Sequence, residues 1–480
     1  MNRFVTYFLG LAVFGLCIAL VLAQGRKLPA PESAAANLPS AANPGAGVAA
    51  APSPSLLANL RENSQDPLAR LFVQLIVIVM AARCCGALAV KARQPAVIGE
   101  MVAGILLGPS LLGWLWPGAF HLIFFAPSLG PLRLLSQIGV CLFMFLVGME
   151  LDVTGFKQQA ATAVLVSQMS ILFPYLLGVI AAFFLFTSLA GPNTAFPAFA
   201  LFVGISMSIT AFPVLARILD ERGLAKTPLG RIALVCAAAD DVTAWSILAV
   251  VVAIAKAASV AAAAFSIGLV VLFVLAMLFW IKPRLPRWIE YVSPAAGAPG
   301  KSLTAAALVF LFASALATDV MGIHALFGSF LAGVVMPARG ELRDFLKLRL
   351  ENFCSVFLLP LFFAFTGLRT QIGLLNDTGG WLICLALILI ATLGKLGGAM
   401  LTARLTGVNW IDSFALGALM NTRGLVELIA LNIGYDLGIL SPRIFAMLVI
   451  MALVTTGMTG PLLAFGDCWR ARKTLAANPA

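Results

Sequence analysis

The chain has 480 residues, 61% of them hydrophobic and only 11% charged, where a soluble domain carries about 25%; a soluble globular protein is excluded. Lys and Arg outnumber Asp and Glu by 31 to 20, a net charge of +11, but the basic residues cluster in every second short loop between apolar runs. That placement argues against a nucleic-acid surface and, by the positive-inside rule, puts the C-terminus in the cytoplasm.

The first element, residues 4–23, is an uncharged apolar stretch behind Arg3 that ends in Val21-Leu22-Ala23-Gln24. Residues 1–24 read either as a cleaved signal peptide or as an extra N-terminal helix. Residues 25–66 are largely Ala, Pro, Ser, Gly and Asn, a composition that cannot build a core, and are expected to form a periplasmic linker. From residue 67 to 470, apolar runs of roughly 20 residues recur, enough to cross a hydrocarbon layer of about 30 Å.

They predict thirteen core transmembrane helices, at approximately 68–90, 95–112, 132–150, 160–187, 196–219, 229–256, 260–281, 302–318, 322–337, 350–367, 380–403, 411–435 and 440–466. The number becomes fourteen if the N-terminal segment is retained. Residues 471–480 read as a short cytoplasmic tail with no regulatory domain attached. The eight cysteines lie in or beside apolar segments without CxxC spacing and read as small packing residues. His121 and His324 are too far apart in sequence to argue for a metal site, and no cofactor is expected.

The two halves of the chain share patterns. GEMVAGILLGP, with Gly99, Ala103, Gly104 and Pro109, returns as GSFLAGVVMP, with Gly328, Ala332, Gly333 and Pro337. LFMFLVGM (Leu142 to Met149) returns as LFFAFTGL (Leu361 to Leu368), and GISMSIT, from Gly204, as GALMNTR, from Gly417. Each match lies seven spans from its partner. Seven is odd, so matched helices run in opposite directions. The fold expected is an all-α polytopic membrane protein of two six-helix inverted repeats joined by one helix, with crossing broken helices and its site at the repeat interface.

Charge within the membrane costs at least about 2.5–3.5 kcal/mol per residue and needs a reason. Asp240 and Asp241 sit mid-span in LVCAAADDVTAWSI, Lys395 in LILIATLGKLGGAML, Arg423 and Glu427 in MNTRGLVELIA, and Glu100 near the start of the second span. Adjacent helical residues point about 100° apart, so one of the two aspartates can face a cavity while the other faces a packed neighbour. Arg423 and Glu427 are four apart on one helical face and fit a structural ion pair as well as a transport role. The fifth span is interrupted at Pro213, where Ser206, Ser208 and Thr210 can stabilise an opened turn. The twelfth is interrupted at Asn421, Thr422 and Gly424. Matched interruptions point to an ion site, because opened backbone tolerates the membrane only where it lines a cavity.

Five stretches carry a specific resemblance: QPAVIGEMVAGILLGPSLLG, SITAFPVLARILDERGL, GRIALVCAAADDVTAW, GIHALFGSFLAG and MNTRGLVELIALNIG. From about residue 68 to 466 the chain resembles the second branch of the monovalent cation–proton antiporter family, which includes bacterial Na+/H+ and K+/H+ exchangers and plant cation/H+ exchangers. The resemblance implies a transporter, not an enzyme, working by alternating access in a bacterial inner membrane. It implies that Asp241 binds the proton and the transported Na+ or K+, that Asp240 pairs with Lys395, and that the protein is a homodimer in lipid. Thr210 and Ser208 are then expected to support the site, with Asn421, Thr422, Arg423, Glu427 and Glu100. Plant exchangers tend to carry Asn where Asp240 stands, so Na+ and K+ both stay open. The rival readings are a Na+-coupled solute symporter and a channel-like membrane sensor.

Overall fold

A computed structural model describes residues 66–477 apart from 93, 126–127, 151–159, 193, 257–259, 293–299, 323 and 338–339. The N-terminal segment and all but the last residue of the expected linker lie outside the described residues. The helices used below are α1 (Pro67–Lys91), α2 (Ala96–Leu107), α3 (Leu129–Glu150), α4 (Ala160–Leu189), α5 (Phe196–Ser208), α6 (Phe212–Glu221), α7 (Pro228–Lys256) and α8 (Val260–Leu275). In the second half they are α9 (Lys301–Val320), α10 (Ala325–Val335), α11 (Leu359–Arg369), α12 (Thr378–Leu405), α13 (Trp410–Met420), α14 (Leu425–Asp436) and α15 (Pro442–Ala477). Among the described residues β-structure is confined to one isolated bridge, Ala190 with Leu440.

Eleven described helices are long and apolar enough to cross a membrane, and the bent pair α13–α14 makes a twelfth span. The ninth expected span, 322–337, is shorter than its hydropathy suggests. Helix α10 has 11 residues, about 16 Å at 1.5 Å per residue, roughly half the hydrocarbon thickness. Pro337 is the reason at one end, because it drives Met336 into extended backbone. His324 stops the other, capping α10 by accepting from the Leu326 amide at 3.4 Å. The matching helix of the first half stops the same way, with Gly108 extended before Pro109.

Contacts divide the helices into two bundles. In the first, α1 packs on α2, α2 on α11, α11 on α3, α3 on α10 and α10 on α9. In the second, α4 packs on α5, α7 and α12, while α12 and α13 pack on each other and on α15. Each bundle therefore takes three successive spans from each half, and α8 links the halves.

The repeat is visible in its glycines. Where a Cβ on Gly99 would stand, the Cys85 carbonyl intrudes from α1; at the matching Gly328 the Ser314 carbonyl intrudes from α9. Gly104 lies against Gly367 as α2 crosses α11, and its counterpart Gly333 lies against Gly148 as α10 crosses α3. In the second bundle Gly204 faces the Tyr175 carbonyl of α4 and Gly417 faces the Leu396 carbonyl of α12. Small residues permit such approach, and in lipid, close packing is a main source of helix attraction. The same contacts recur in the same order, so the inverted repeat read from sequence is a property of the fold.

Candidate functional site

The two broken spans cross inside the second bundle. Helix α5 ends at Ser208, residues 209–211 are non-helical, and α6 restarts with Pro213 in its first turn, where a missing N–H costs nothing. Opposite, α13 ends at Met420 and α14 begins at Leu425, with a bend of 44° between them. The breaks touch: the Ala211 amide donates to the Thr422 carbonyl at 3.1 Å, and the Thr210 hydroxyl lies 3.3 Å from the Met420 carbonyl. Gly424 makes room for this, since a Cβ there would come within 2.8 Å of Val214.

A helix end leaves its last carbonyls without amide partners and carries partial negative charge. At the end of α5 these carbonyls receive two cations from the other half of the chain. Arg423 donates to the Ser206 carbonyl at 2.8 Å and the Met207 carbonyl at 2.6 Å. Lys395 donates to the Ser208 carbonyl and, at 3.3 Å, to the Ser170 carbonyl. The second acceptor is made by Pro174, which lies inside α4 and has no N–H for the carbonyl four residues back. A proline in one helix thus creates a backbone acceptor for a lysine in another.

Asp240, Asp241, Lys395, Arg423 and Glu427 are all fully buried. Asp240 accepts from the hydroxyls of Ser167 at 2.6 Å, Ser170 at 2.9 Å and Thr210 at 2.5 Å, and lies 3.5 Å from the Lys395 ammonium. Its charge is paired and hydrogen-bonded, the condition under which a buried ion is tolerated. Asp241 differs. The Phe212 amide, first in α6, faces it as a backbone donor, but outside the geometry of an ordinary hydrogen bond, which neither carboxylate oxygen makes. It is a buried carboxylate with free lone pairs beside a helix N-terminus.

Arg423 lies 3.2 Å from Glu427, which stands in the first turn of α14, so that pair closes on itself as well as on α5. The Asn421 side chain is buried with both its oxygen and its nitrogen unbonded. Thr422 reaches Thr459 at 3.3 Å, and Thr456 bridges the Arg423 amide and carbonyl. The Ser206 and Ser208 hydroxyls bond back to Phe202 and Ile205 in their own helix; what these residues offer the site is their carbonyls. Glu100 stands elsewhere, buried on α2 and coupled electrostatically to Arg83 and Arg217.

Sequence reasoning missed Ser167, Ser170 and Pro174. A signal was present in VSQMSILFP: two hydroxyls three residues apart on one helical face, followed by a proline in an apolar helix. It went unread because this stretch has no charge and no counterpart among the repeated patterns.

Comparison with known proteins gives the family and the fold. The family described as "Sodium/hydrogen exchanger, transmembrane" matches residues 76–465. The Na+/H+ antiporter NhaS4 of Synechocystis is 43% identical over 398 residues, covering 82% of this chain and 96% of that one. Cation/H+ antiporter 17 of Arabidopsis thaliana is 39% identical and K+/H+ antiporter 1 of Saccharomyces cerevisiae 32% identical. The matches cover 82% and 86% of this chain but only 48% and 49% of those proteins, so the chain spans about half their length. The structure of the sodium proton antiporter MjNhaP1 from Methanocaldococcus jannaschii superposes with a TM-score of 0.55 at 17% identity, over 83% of this chain and 97% of that one; it shares the fold. The chain belongs to the sodium/hydrogen exchanger family, a family of membrane transporters.

Proposed function

We propose that this member of the sodium/hydrogen exchanger family exchanges a monovalent cation, Na+ or K+, for protons by alternating access, with Asp241 as the group that carries either one. The observation behind this reading is the contrast between two neighbouring carboxylates. Asp240 is neutralised by Lys395 and held by three hydroxyls, while Asp241 is equally buried and unbonded. Arg423 and Glu427 likewise cancel. The one uncompensated charge in the cluster is therefore that of Asp241. A bare buried carboxylate is costly, and a single proton or a single monovalent cation relieves it. Both cannot be held at once without leaving a net positive charge, so they compete. That competition is the elementary requirement of exchange.

In this reading Asp240 and Lys395 form a fixed neutral pair beside the site, and Thr210 ties it to the crossing. Opened backbone and the amide oxygen of Asn421 complete the cation's coordination. The protein sits in the bacterial inner membrane with its C-terminus in the cytoplasm, residues 25–66 in the periplasm, and a second copy as partner. The decisive assay is proton movement in everted membrane vesicles on addition of Na+, K+ or Li+. We expect at least one of Na+ and K+ to collapse a preformed pH gradient. A gradient that none of the three ions disturbs would contradict the reading.

A further inference from the structure

At one end of the molecule the two bundles are joined by charge. Asp436, the last residue of α14, belongs to the second bundle. It pairs with Arg369, the last residue of α11, at 2.7 Å and with Arg133, in the first turns of α3, at 3.4 Å. Both arginines belong to the first bundle. One turn back along α14, Asn432 accepts from Arg369 at 2.9 Å and donates to the Thr366 hydroxyl at 2.9 Å. Arg369 also lies over the rings of Phe365 and Tyr435, at 4.2 and 5.3 Å from their centroids. Its side chain is only 14% exposed, so this pair is better shielded than an ordinary surface pair. Behind it lies a cavity of about 30 Å³, lined in part by Ser136, Gln137 and His324, with room for about one water.

Helix α14 is the same half-helix whose other end meets the candidate ion site at Gly424. Any motion of the second bundle that opens the site toward the Asp436 end must carry Asp436 and Asn432 past Arg369 and Thr366. A slide of one helical turn is about 5.4 Å, more than a contact of this length survives. At the opposite end Gln94 donates to the Gly457 carbonyl at 3.3 Å, and Glu100 of α2 is coupled electrostatically to Arg217 of α6.

We propose that Asp436 and Arg369, assisted by Arg133 and Asn432, are a charged latch between the bundles that is closed in this conformation and must break for the site to open to the Asp436 face. This rests on the exchange reading for its consequence, but not for its detection. Weakening the latch raises the fraction of molecules open to that face, and apparent affinity there scales with that fraction.

The test has two arms. In the first, a cysteine is placed at Ser136 in the full chain, and its labelling by a membrane-impermeant thiol reagent is measured above the level given by the native cysteines. Adding Asp436→Asn should speed that labelling by about three- to tenfold; equal rates with and without it would overturn the proposal. In the second, exchange is measured with cation supplied from each face in turn. Asp436→Asn should lower KM on the Asp436 face by about three- to tenfold and raise it on the other, and the swap of Arg369→Asp with Asp436→Arg should recover at least half of the shift. A change of KM in the same direction on both faces would make Asp436 merely structural. Where Asp436→Asn does not fold, Arg133→Gln serves, with a smaller shift of the same sign expected and no shift contradicting the latch. If wild-type vesicles exchange nothing, the antiport reading fails while the labelling arm still decides the latch.

Discussion

The first bundle crosses itself through glycine, and the second crosses itself through charge. Where α2 meets α11, Gly104 and Gly367 bring backbone against backbone, as Gly148 and Gly333 do where α3 meets α10. Where the broken helices of the second bundle meet, Arg423 and Lys395 occupy the carbonyls at the end of α5, and Asp240 binds three hydroxyls. The difference is one of reversibility. A dispersion contact between two backbones has one good geometry and no exchangeable part. A cluster of buried charges can hold, beside its compensated pairs, one unbonded carboxylate that takes a proton or a cation in turn. The first bundle is therefore read as scaffold and the second as machinery, and substitutions in the two should separate stability from exchange.

The largest effect is expected at Lys395. Lys395→Ala leaves Asp240 buried without its counter-charge and should cost about 3–5 kcal/mol, seen as a lower Tm of the detergent-purified protein. Combining Asp240→Asn with Lys395→Gln should cost less, because no charge is stranded. A double-mutant cycle without coupling would show that the 3.5 Å pair contributes nothing. Next comes Gly104→Ala, whose methyl group would enter the space of the Phe363 carbonyl. Overpacking of this kind costs about 1–3 kcal/mol, and backbone neighbours put it near the top of that range. Exchange per folded molecule should nonetheless be unchanged; a loss of turnover without a loss of stability would break the division between scaffold and machinery.

Two serines sharpen the comparison within the second bundle. Ser167→Ala removes a hydrogen bond to the Asp240 carboxylate, which should cost about 2 kcal/mol and slow exchange, since bonds to charged groups are worth about 1.5–3 kcal/mol. Ser206→Ala removes a hydroxyl that bonds only within its own helix and leaves intact the carbonyl that Arg423 uses. Its cost should be about 1 kcal/mol or less, with exchange retained. Equal effects on exchange would mean that hydroxyl and carbonyl roles at the break have been interchanged.

The spans and the inverted repeat were legible in the sequence because hydropathy and small-residue spacing are local properties. The breaks were legible too, since Pro213 and the Asn421–Gly424 stretch stand in matched spans of the two halves. What was not legible depends on long-range contact. That Ser167 and Ser170 serve Asp240 follows from the packing of α4 on α7, some 70 residues away in sequence. That Pro174 frees a carbonyl for Lys395 follows from α4 packing on α12. The pairing of Asp240 with Lys395 was expected from resemblance rather than from spacing, and the helix of the ninth span proved shorter because Pro337 stops it.

The central claim is that Asp241 holds a proton or a cation, and never both. It is tested most directly by adding Na+ or K+ to the purified protein in weakly buffered detergent solution and recording the protons released. The account predicts a cation-dependent release from wild type that saturates near one proton per chain and is absent from Asp241→Asn, with that variant still folded. An undiminished release from folded Asp241→Asn would contradict it.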